Sequence, residues 1–221
     1  MLLAKIKELS PKKALDVGCG CGSFTAQAAP YCGQLLAIDH SPGLIERCMR
    51  EHPLPNVTYR CVDARRLKLP DKGFDLVYER DALHHIREWQ QALDEMARVS
   101  SHYILVEEPV DDPRSLAKRN SIAAHQFMLE VQEEAGYPHF MHLQPVELEQ
   151  RLLDVGLNFT IEYVPSDLPV EIEEYFEPFE RFADLTARKD YWMTRLFQFK
   201  RSVAGAGLVE SDRLLIVAQK R

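Results

Sequence analysis

"ALDVGCGCGSFT", residues 14–25, runs from a short apolar stretch into three glycines set two apart, Gly18, Gly20 and Gly22, with Asp16 just ahead of them. The apolar run reads as a strand buried on both faces, and the residues after Gly22 as the start of a helix. Glycines at that junction let the backbone take positive φ and let a ligand approach without interference from a Cβ, while the helix start offers unpaired N–H groups to an anion. By itself such a loop is equally well a tight turn, so the rest of the chain has to decide.

Short apolar runs alternate with helical patterns through the first half. "LLAI" (35–38), "VTYRCV" (57–62), "FDLVY" (74–78) and "YILVE" (103–107) read as further strands. Ser41-Pro42 sets a cap residue ahead of a proline at the first helical position, with Leu44, Ile45 and Cys48 following on one face. Within 87–99, Trp89, Leu93, Met96 and Ala97 recur at helical spacing. Strand alternating with helix predicts a parallel sheet covered on both sides, in which ligands bind outside the carboxyl ends of the strands. Asp39 closes the second strand, 17 residues past Gly22, where a carboxylate can accept from two ribose hydroxyls. Asp63-Ala64 closes the third, where an acid can accept from an exocyclic amine and a backbone N–H can meet a ring nitrogen. Each aspartate alone is as readily a turn or cap residue. Taken in order with the glycine loop, they describe a nucleoside pocket.

Composition sets outer bounds. With 221 residues, 46% of them apolar, the chain suits one large domain or a domain with a lid. A formal charge of −7 argues against nucleic acid as a partner, because phosphate binding needs a basic footprint. "MLLAKIKELS" carries Leu2, Leu3, Ile6 and Leu9 at helical spacing with lysines between them, too short and interrupted for a signal or a membrane span. It reads as a short amphipathic helix of a cytoplasmic protein. Five cysteines suggest reduced thiols, and Cys19 and Cys21 lack a second close pair to complete a zinc site, so no metal is expected.

"ALDVGCGCGSFT", "LLAIDHSPGLIERC", "VDARRLKLPDKGFDLVYERDALHHI" and "YILVEEP" resemble, in that order, the successive motifs of class I S-adenosylmethionine (SAM) dependent methyltransferases, small-molecule type, nearest the ubiquinone and menaquinone biosynthesis group. The resemblance covers roughly residues 12–109. It implies a Rossmann-like α/β fold, a doubly wound seven-stranded sheet whose last strand is antiparallel, with "LNFTIEYV" (157–164) and "RLLIVAQK" (213–220) as the remaining strands. It also implies a cofactor, SAM, and a set of residues around it. Gly18, Cys19 and Gly20 would form the backbone loop beside its methionine part, and Asp16 would orient the methionine ammonium. Asp39 would be the ribose acid, His40 and Leu44 would flank the adenine, and Asp63 with Ala64 would read its edge. Glu79, after the fourth strand, is unusual for the family, and its carboxylate is left to point at substrate, bind the ammonium or face water. A nicotinamide fingerprint fails because Ser23 stands where a third glycine or alanine is needed, and no Gly-Lys-Ser/Thr follows to make a P-loop.

The acceptor has to be sought elsewhere. The chain is expected to be a single methyltransferase domain, 1–221, with helical insertions at 110–142 and 165–212 forming a lid, since water must be excluded from a reactive sulfonium. Leu116, Ala123 or Ala124, Phe127 and Val131 make a stripe in the first insertion. The second holds eight of the chain's 20 aromatics, with Trp192, Leu196, Phe199 and Val203 on one face and Tyr175, Phe179 and Phe182 on another. Its ten acidic against six basic residues favour a neutral or cationic small molecule with apolar or aromatic surface. If the acceptor is a hydroxyl or acidic carbon a general base is wanted, and His84, placed at the mouth of the site by the family's layout, is the candidate. Glu107, Glu108, Tyr137, His139 and Tyr175 are also within reach. A homodimer could complete the lid. Two other readings stay open: a SAM-binding regulatory partner without its own methyl transfer, and an RNA or protein methyltransferase, although "ERDA" stands where the tetrapeptide typical of many of the latter would be.

Overall fold

The computed structural model describes residues 1–137 and 140–220, in two compact units. One comprises Met1–Glu108, Leu143–Tyr163 and Leu214–Arg221, the other Pro109–His142 and Val164–Arg213.

In the first unit, helix α1 (Leu2–Leu9) leads to strand β1 (Lys13–Val17), then α2 (Ser23–Ala28), β2 (Gln34–Asp39), α3 (Pro42–Glu51), β3 (Val57–Cys61), β4 (Phe74–Arg80), α4 (Trp89–Val99) and β5 (Ser100–Val110). After the second unit's first helix come α6 (Pro145–Asp154) and β6 (Asn158–Val164), and the chain closes on β9 (Asp212–Gln219). The strands form one seven-stranded sheet in the order β3-β2-β1-β4-β5-β9-β6. β1 pairs in parallel with β2 (Leu15 opposite Leu36) and with β4 (Asp16 opposite Tyr78). β9 runs the other way: its end meets the beginning of β5, the Lys220 N–H donating to the His102 carbonyl at 2.9 Å. The expected α/β Rossmann-like sheet with its last strand antiparallel is therefore the fold.

Its core explains the unbroken apolar runs. Leu35, Leu76, Tyr78 and Leu105 are buried in one cluster, and α1 docks Leu2 and Ile6 into it, the apolar face read from the sequence. α1 stops at Ser10, whose φ of 41° leaves the helix, just before Pro11. The Ser41 hydroxyl caps α3 by accepting the Leu44 N–H, and Ile45 and Cys48 are its buried face. Trp89, Leu93, Met96 and Ala97 are buried along α4.

The second unit contains α5 (Leu116–Glu134), a two-stranded antiparallel pair β7 (Pro169–Val170) and β8 (Leu208–Val209), and helices α7 (Ile172–Tyr175), α8 (Phe179–Asp184) and α9 (Lys189–Val203). Its core is aromatic: Phe127 stacks on Phe179 and Phe199 at 4.9 and 5.0 Å between ring centroids, beside buried Phe176 and Trp192. Two expected stripes are redrawn. Leu116 is 57% exposed, since it opens α5, and Ala124 is the fully buried member of the alanine pair. The Tyr175, Phe179, Phe182 face is broken because α7 ends before α8 begins, and Phe176 takes the core position in the turn between them. An ion network braces this unit: Asp212 accepts from Lys118 Nζ at 2.5 Å and from the Ser166 N–H at 3.0 Å, and also pairs with Arg114.

Candidate functional site

The glycine loop lies at the carboxyl end of β1, and its three glycines have φ of 75°, 56° and 82°. The N–H groups of Gly18 and Cys19 both donate to the Ile38 carbonyl, at 2.8 and 2.9 Å, which ties the loop to the end of β2. The glycines are not equivalent. A Cβ on Gly18 would fall 2.4 Å from the Ala82 Cβ, and one on Gly22 would fall 3.0 Å from Cys48 Sγ. Next to Gly20 there is open space, with no atom within 4 Å of where its Cβ would be. So Gly18 is required by packing, and Gly20 leaves room for a ligand.

Two of the expected acids converge on this loop. Asp39 is buried, with Oδ2 accepting the Gly20 N–H at 3.0 Å and Oδ1 the Ser41 N–H at 2.9 Å. Each oxygen retains a lone pair, so hydroxyls can still be received. Asp16 is buried as well, and its Oδ2 accepts from the Thr25 hydroxyl at 2.7 Å. Desolvation pushes its carboxyl up to about 6, opposed by Thr25 and reinforced by the nearby Asp39. A buried acid of this kind is stabilised in its charged form by a cation. Burial likewise pushes the Cys19 thiol up. His40 is exposed, its Nδ1 3.4 Å from Asp39 Oδ1, and Leu44 is half-buried in the first turn of α3.

The third acid is differently placed. Asp63 is exposed and held by Arg65, whose Nη2 donates to Oδ2 at 2.8 Å, while Ala64 beside it is buried. No helix separates β3 from β4, and residues 62–73 form a loop, which leaves Asp63 open to solvent. The Arg65 guanidinium keeps the Asp63 carboxyl below its usual range.

Glu79 does not face water: it is completely buried. Its Oε2 accepts the N–H groups of Ala82 and Leu83 at 3.0 and 3.3 Å, while Oε1 is buried without a hydrogen-bond partner. Burial and the neighbouring Glu108 charge raise the Glu79 carboxyl well above its ordinary value. Glu108 also suffers desolvation, yet His84 holds it below the usual range. Its Oε1 accepts the Leu83 N–H at 2.8 Å, and its Oε2 lies 2.5 Å from His84 Nδ1. His84 is therefore not at an open mouth but 6% exposed inside this network, with its ring against His85. Both carboxyls act on the turn at 82–84, the segment that packs on Gly18.

Of the other residues within reach, Glu107 accepts the Leu2 N–H at 2.8 Å and pairs with Arg80, Tyr137 is 56% exposed, and His139 lies outside the described residues. Sequence reasoning missed a second polar cluster, in the other unit. His142 Nδ1 is 2.8 Å from Asp111 Oδ1, and the His142 and His125 rings lie 4.3 Å apart. In the same unit burial, and then the Asp111 charge, push the Tyr175 phenol up to about 12. No spacing pattern signals it, because Asp111 and His142 lie 31 residues apart in two irregular segments.

Comparison with known proteins places this geometry. Residues 15–102 match the family model described as a methyltransferase domain. YcgJ of Bacillus subtilis, described as an uncharacterized methyltransferase, is 30% identical over 111 residues, 45% of this chain and 44% of that protein. Nodulation protein S of Bradyrhizobium diazoefficiens is 30% identical over 89 residues, 40% of this chain and 42% of its own length. The match thus spans less than half the length of these curated relatives. The crystal structure of YcgJ has a TM-score of 0.74 at 17% identity, covering 99% of this chain and 97% of that one. That of the N-methyltransferase NodS from Bradyrhizobium japonicum, in complex with S-adenosylhomocysteine, has a TM-score of 0.56 at 16% identity, covering 99% and 85%. Over residues 15–102 the chain matches the methyltransferase-domain family, and along its whole length it has the Rossmann-like fold of these structures.

Proposed function

We propose that this protein is a SAM-dependent methyltransferase that acts on a small-molecule acceptor by in-line displacement. The observation that carries the reading is the pair of buried acids, Asp16 and Asp39, at the ends of adjacent parallel strands beside the open space at Gly20. Asp16, desolvated and raised to about 6, suits an ammonium, and Asp39, its oxygens already ordered by two N–H donors, suits a ribose. SAM carries both groups. When bound it supplies a methyl group on a sulfonium, which a positioned nucleophile can take without a covalent enzyme intermediate.

The chain's own contribution is then binding and alignment. Gly18, Cys19 and Gly20 present backbone, His40, Leu44, Asp63 and Ala64 serve the adenine end, and Glu79 acts through the turn it holds. His84, expected as a base, fits a positioning role better, since it is buried with its Nδ1 on Glu108. The methyltransferase-domain match and the likeness to the N-methyltransferase NodS support the class of reaction. No helix among the described residues is long and apolar enough to cross a membrane.

Calorimetry with SAM tests the cofactor assignment. Asp39→Ala is expected to weaken binding by about 1–3 kcal/mol, the loss of a charged acceptor. Equal affinity in the variant would sink the assignment. A panel of amines, phenols, thiols and quinone-like acceptors separates an enzyme from a SAM-binding partner protein, which would bind tightly and turn over none of them.

A further inference from the structure

One stretch departs from the charge of the rest. Residues 60–68, "RCVDARRLK", carry four basic side chains against one acidic, in a protein whose formal charge is −7. Within the first unit they bound a cavity of about 440 Å³, between the β2–β3 edge of the sheet and the loop at 62–69. Cavities that take small organic ligands run from about 300 to 1,000 Å³. This one has a physical origin. Leu36 and Arg60 share a face of the sheet, because Leu36 pairs with Thr58 and Arg60 follows Thr58 by two positions. No helix separates β3 from β4, and the loop in its place is drawn onto α4: the Leu67 N–H donates to Glu95 Oε2 at 2.8 Å, and the Leu69 carbonyl accepts from Arg98 Nη1 at 2.8 Å.

We propose that this cavity binds a small aliphatic carboxylate, with Arg60 and Arg66 on the carboxylate and leucine side chains along its hydrocarbon body. The proposal goes beyond the methyltransferase reading and does not depend on it. The floor is aliphatic: Leu67 is 2% exposed, and Leu36, Val62 and Leu69 are half-buried. Arg60, Arg66 and Lys68 line the same cavity and are exposed, so they form its rim. An apolar floor beneath a cationic rim matches a molecule with one anionic end and a hydrocarbon body.

The acids nearby are already matched. Asp63 is held by Arg65, Nε to Oδ1 at 3.0 Å and Nη2 to Oδ2 at 2.8 Å, and Arg65 also reaches Glu88 at 2.6 Å. Glu95 and Asp71 are both paired with Arg98. Among the described residues no carboxylate lies within ion-pair distance of Arg60, Arg66 or Lys68. The rim therefore attracts an anion, and guanidinium groups suit the planar, two-oxygen end of a carboxylate. An amine is repelled. Nucleic acid is a poor match as well, because none of the lining side chains is an aromatic ring on which a base could stack.

The test is calorimetric titration of the full-length protein with sodium octanoate, beside acetate, 1-octanol and octylamine. Octanoate is expected to bind saturably at one site, about tenfold or more tightly than either acetate or 1-octanol, and more weakly at high salt, while octylamine does not bind. Arg60→Gln and Arg66→Gln, both at exposed positions, should each weaken octanoate about tenfold, the loss of one charge-assisted contact, and leave 1-octanol unchanged. Saturating S-adenosylhomocysteine should leave the octanoate affinity within a few-fold. The absence of saturable octanoate binding, equal affinity for octanoate and 1-octanol, or unchanged octanoate binding in either variant overturns the proposal. Displacement of octanoate by S-adenosylhomocysteine overturns it too, because the cavity would then belong to the cofactor's site, with which it shares Asp63. An oligouridylate that displaces octanoate would assign the rim to a phosphate backbone, with the same result. If octanoate binds and S-adenosylhomocysteine does not, the carboxylate site stands and the methyltransferase reading fails separately.

Discussion

The Glu108 carboxylate stands 2.5 Å from His84 Nδ1, and burial together with the neighbouring Glu108 charge raises the carboxyl of fully buried Glu79. Glu79 is the protonated member. Its pKa is raised on folding, so its stabilising contribution is complete below the ordinary glutamate value of 4.5 and fades as pH climbs above it. Glu79→Gln keeps an acceptor for the Ala82 and Leu83 N–H groups and puts an amide N–H in place of the acid proton. The variant is expected to have a higher urea midpoint than wild type at pH 8, with a flatter dependence between pH 5 and 8. A midpoint that falls at pH 8 would show that Glu79 is ionised there.

Gly18 and Gly20 differ in what surrounds them, which separates folding from binding. Gly18→Ala drives a methyl group into Ala82 and meets a left-handed backbone as well, so a loss of about 2–4 kcal/mol in unfolding free energy is expected. Gly20→Ala meets open space and carries only the backbone cost, about 1 kcal/mol. Gly20→Val should go further in blocking SAM while the fold survives. Denaturation and calorimetry on the three variants check the contrast, and a Gly20→Val protein that binds SAM as wild type does would mean that the open space is not the ligand's.

The parts legible in the sequence are those with a local code. Gly18, Gly20 and Asp39 are announced by their spacing, because a strand, a turn and a helix start succeed one another within a few residues and the parallel register brings the second strand's end alongside the first. The burial of Glu79 was not legible. Its environment is made by Glu108, 29 positions on in sequence and on the next strand, and only the pairing of Glu79 with Val106 in the β4–β5 register sets the two strand ends together. The Asp63 side chain points to the same limit: its strand position was read correctly, but the hold exerted by Arg65 depends on a loop with no helix over it. The Asp111–His142 pair joins two irregular segments, where neither a period of 2 nor of 3.6 operates.

Asp16 sets stability against ligand binding. Desolvation raises its carboxyl from 3.8 to about 6, so the stability that protonation provides is complete below 3.8 and is lost as pH rises through about 6. At pH 8 the buried charge costs on the order of 3 kcal/mol in the free protein. Asp16→Asn retains an oxygen for Thr25 and is expected to recover on the order of 1–3 kcal/mol in urea unfolding at pH 8, with a smaller gain at pH 5. The same variant should bind SAM more weakly, because the ammonium has lost its anion. A variant that is both less stable at pH 8 and equal in affinity would remove Asp16 from the site.

Asp212 works in the opposite sense. Desolvation pushes its carboxyl up, but Arg114 and Lys118 outweigh it and bring the value down to about 2. The stability it provides is present above 3.8 and is lost as pH falls through about 2. Asp212→Asn leaves the Lys118 ammonium, 2% exposed, without its anion, so a loss of about 3–5 kcal/mol is expected. Lys118→Met in the same chain removes that stranded charge and should restore part of the loss. Trp192, buried in the core of this unit, gives the readout: its fluorescence transition should move to lower urea in Asp212→Asn and part of the way back in the double variant. If the double variant is no more stable than the single one, the network braces the unit through Arg114 and Ser166, and Lys118 is a bystander.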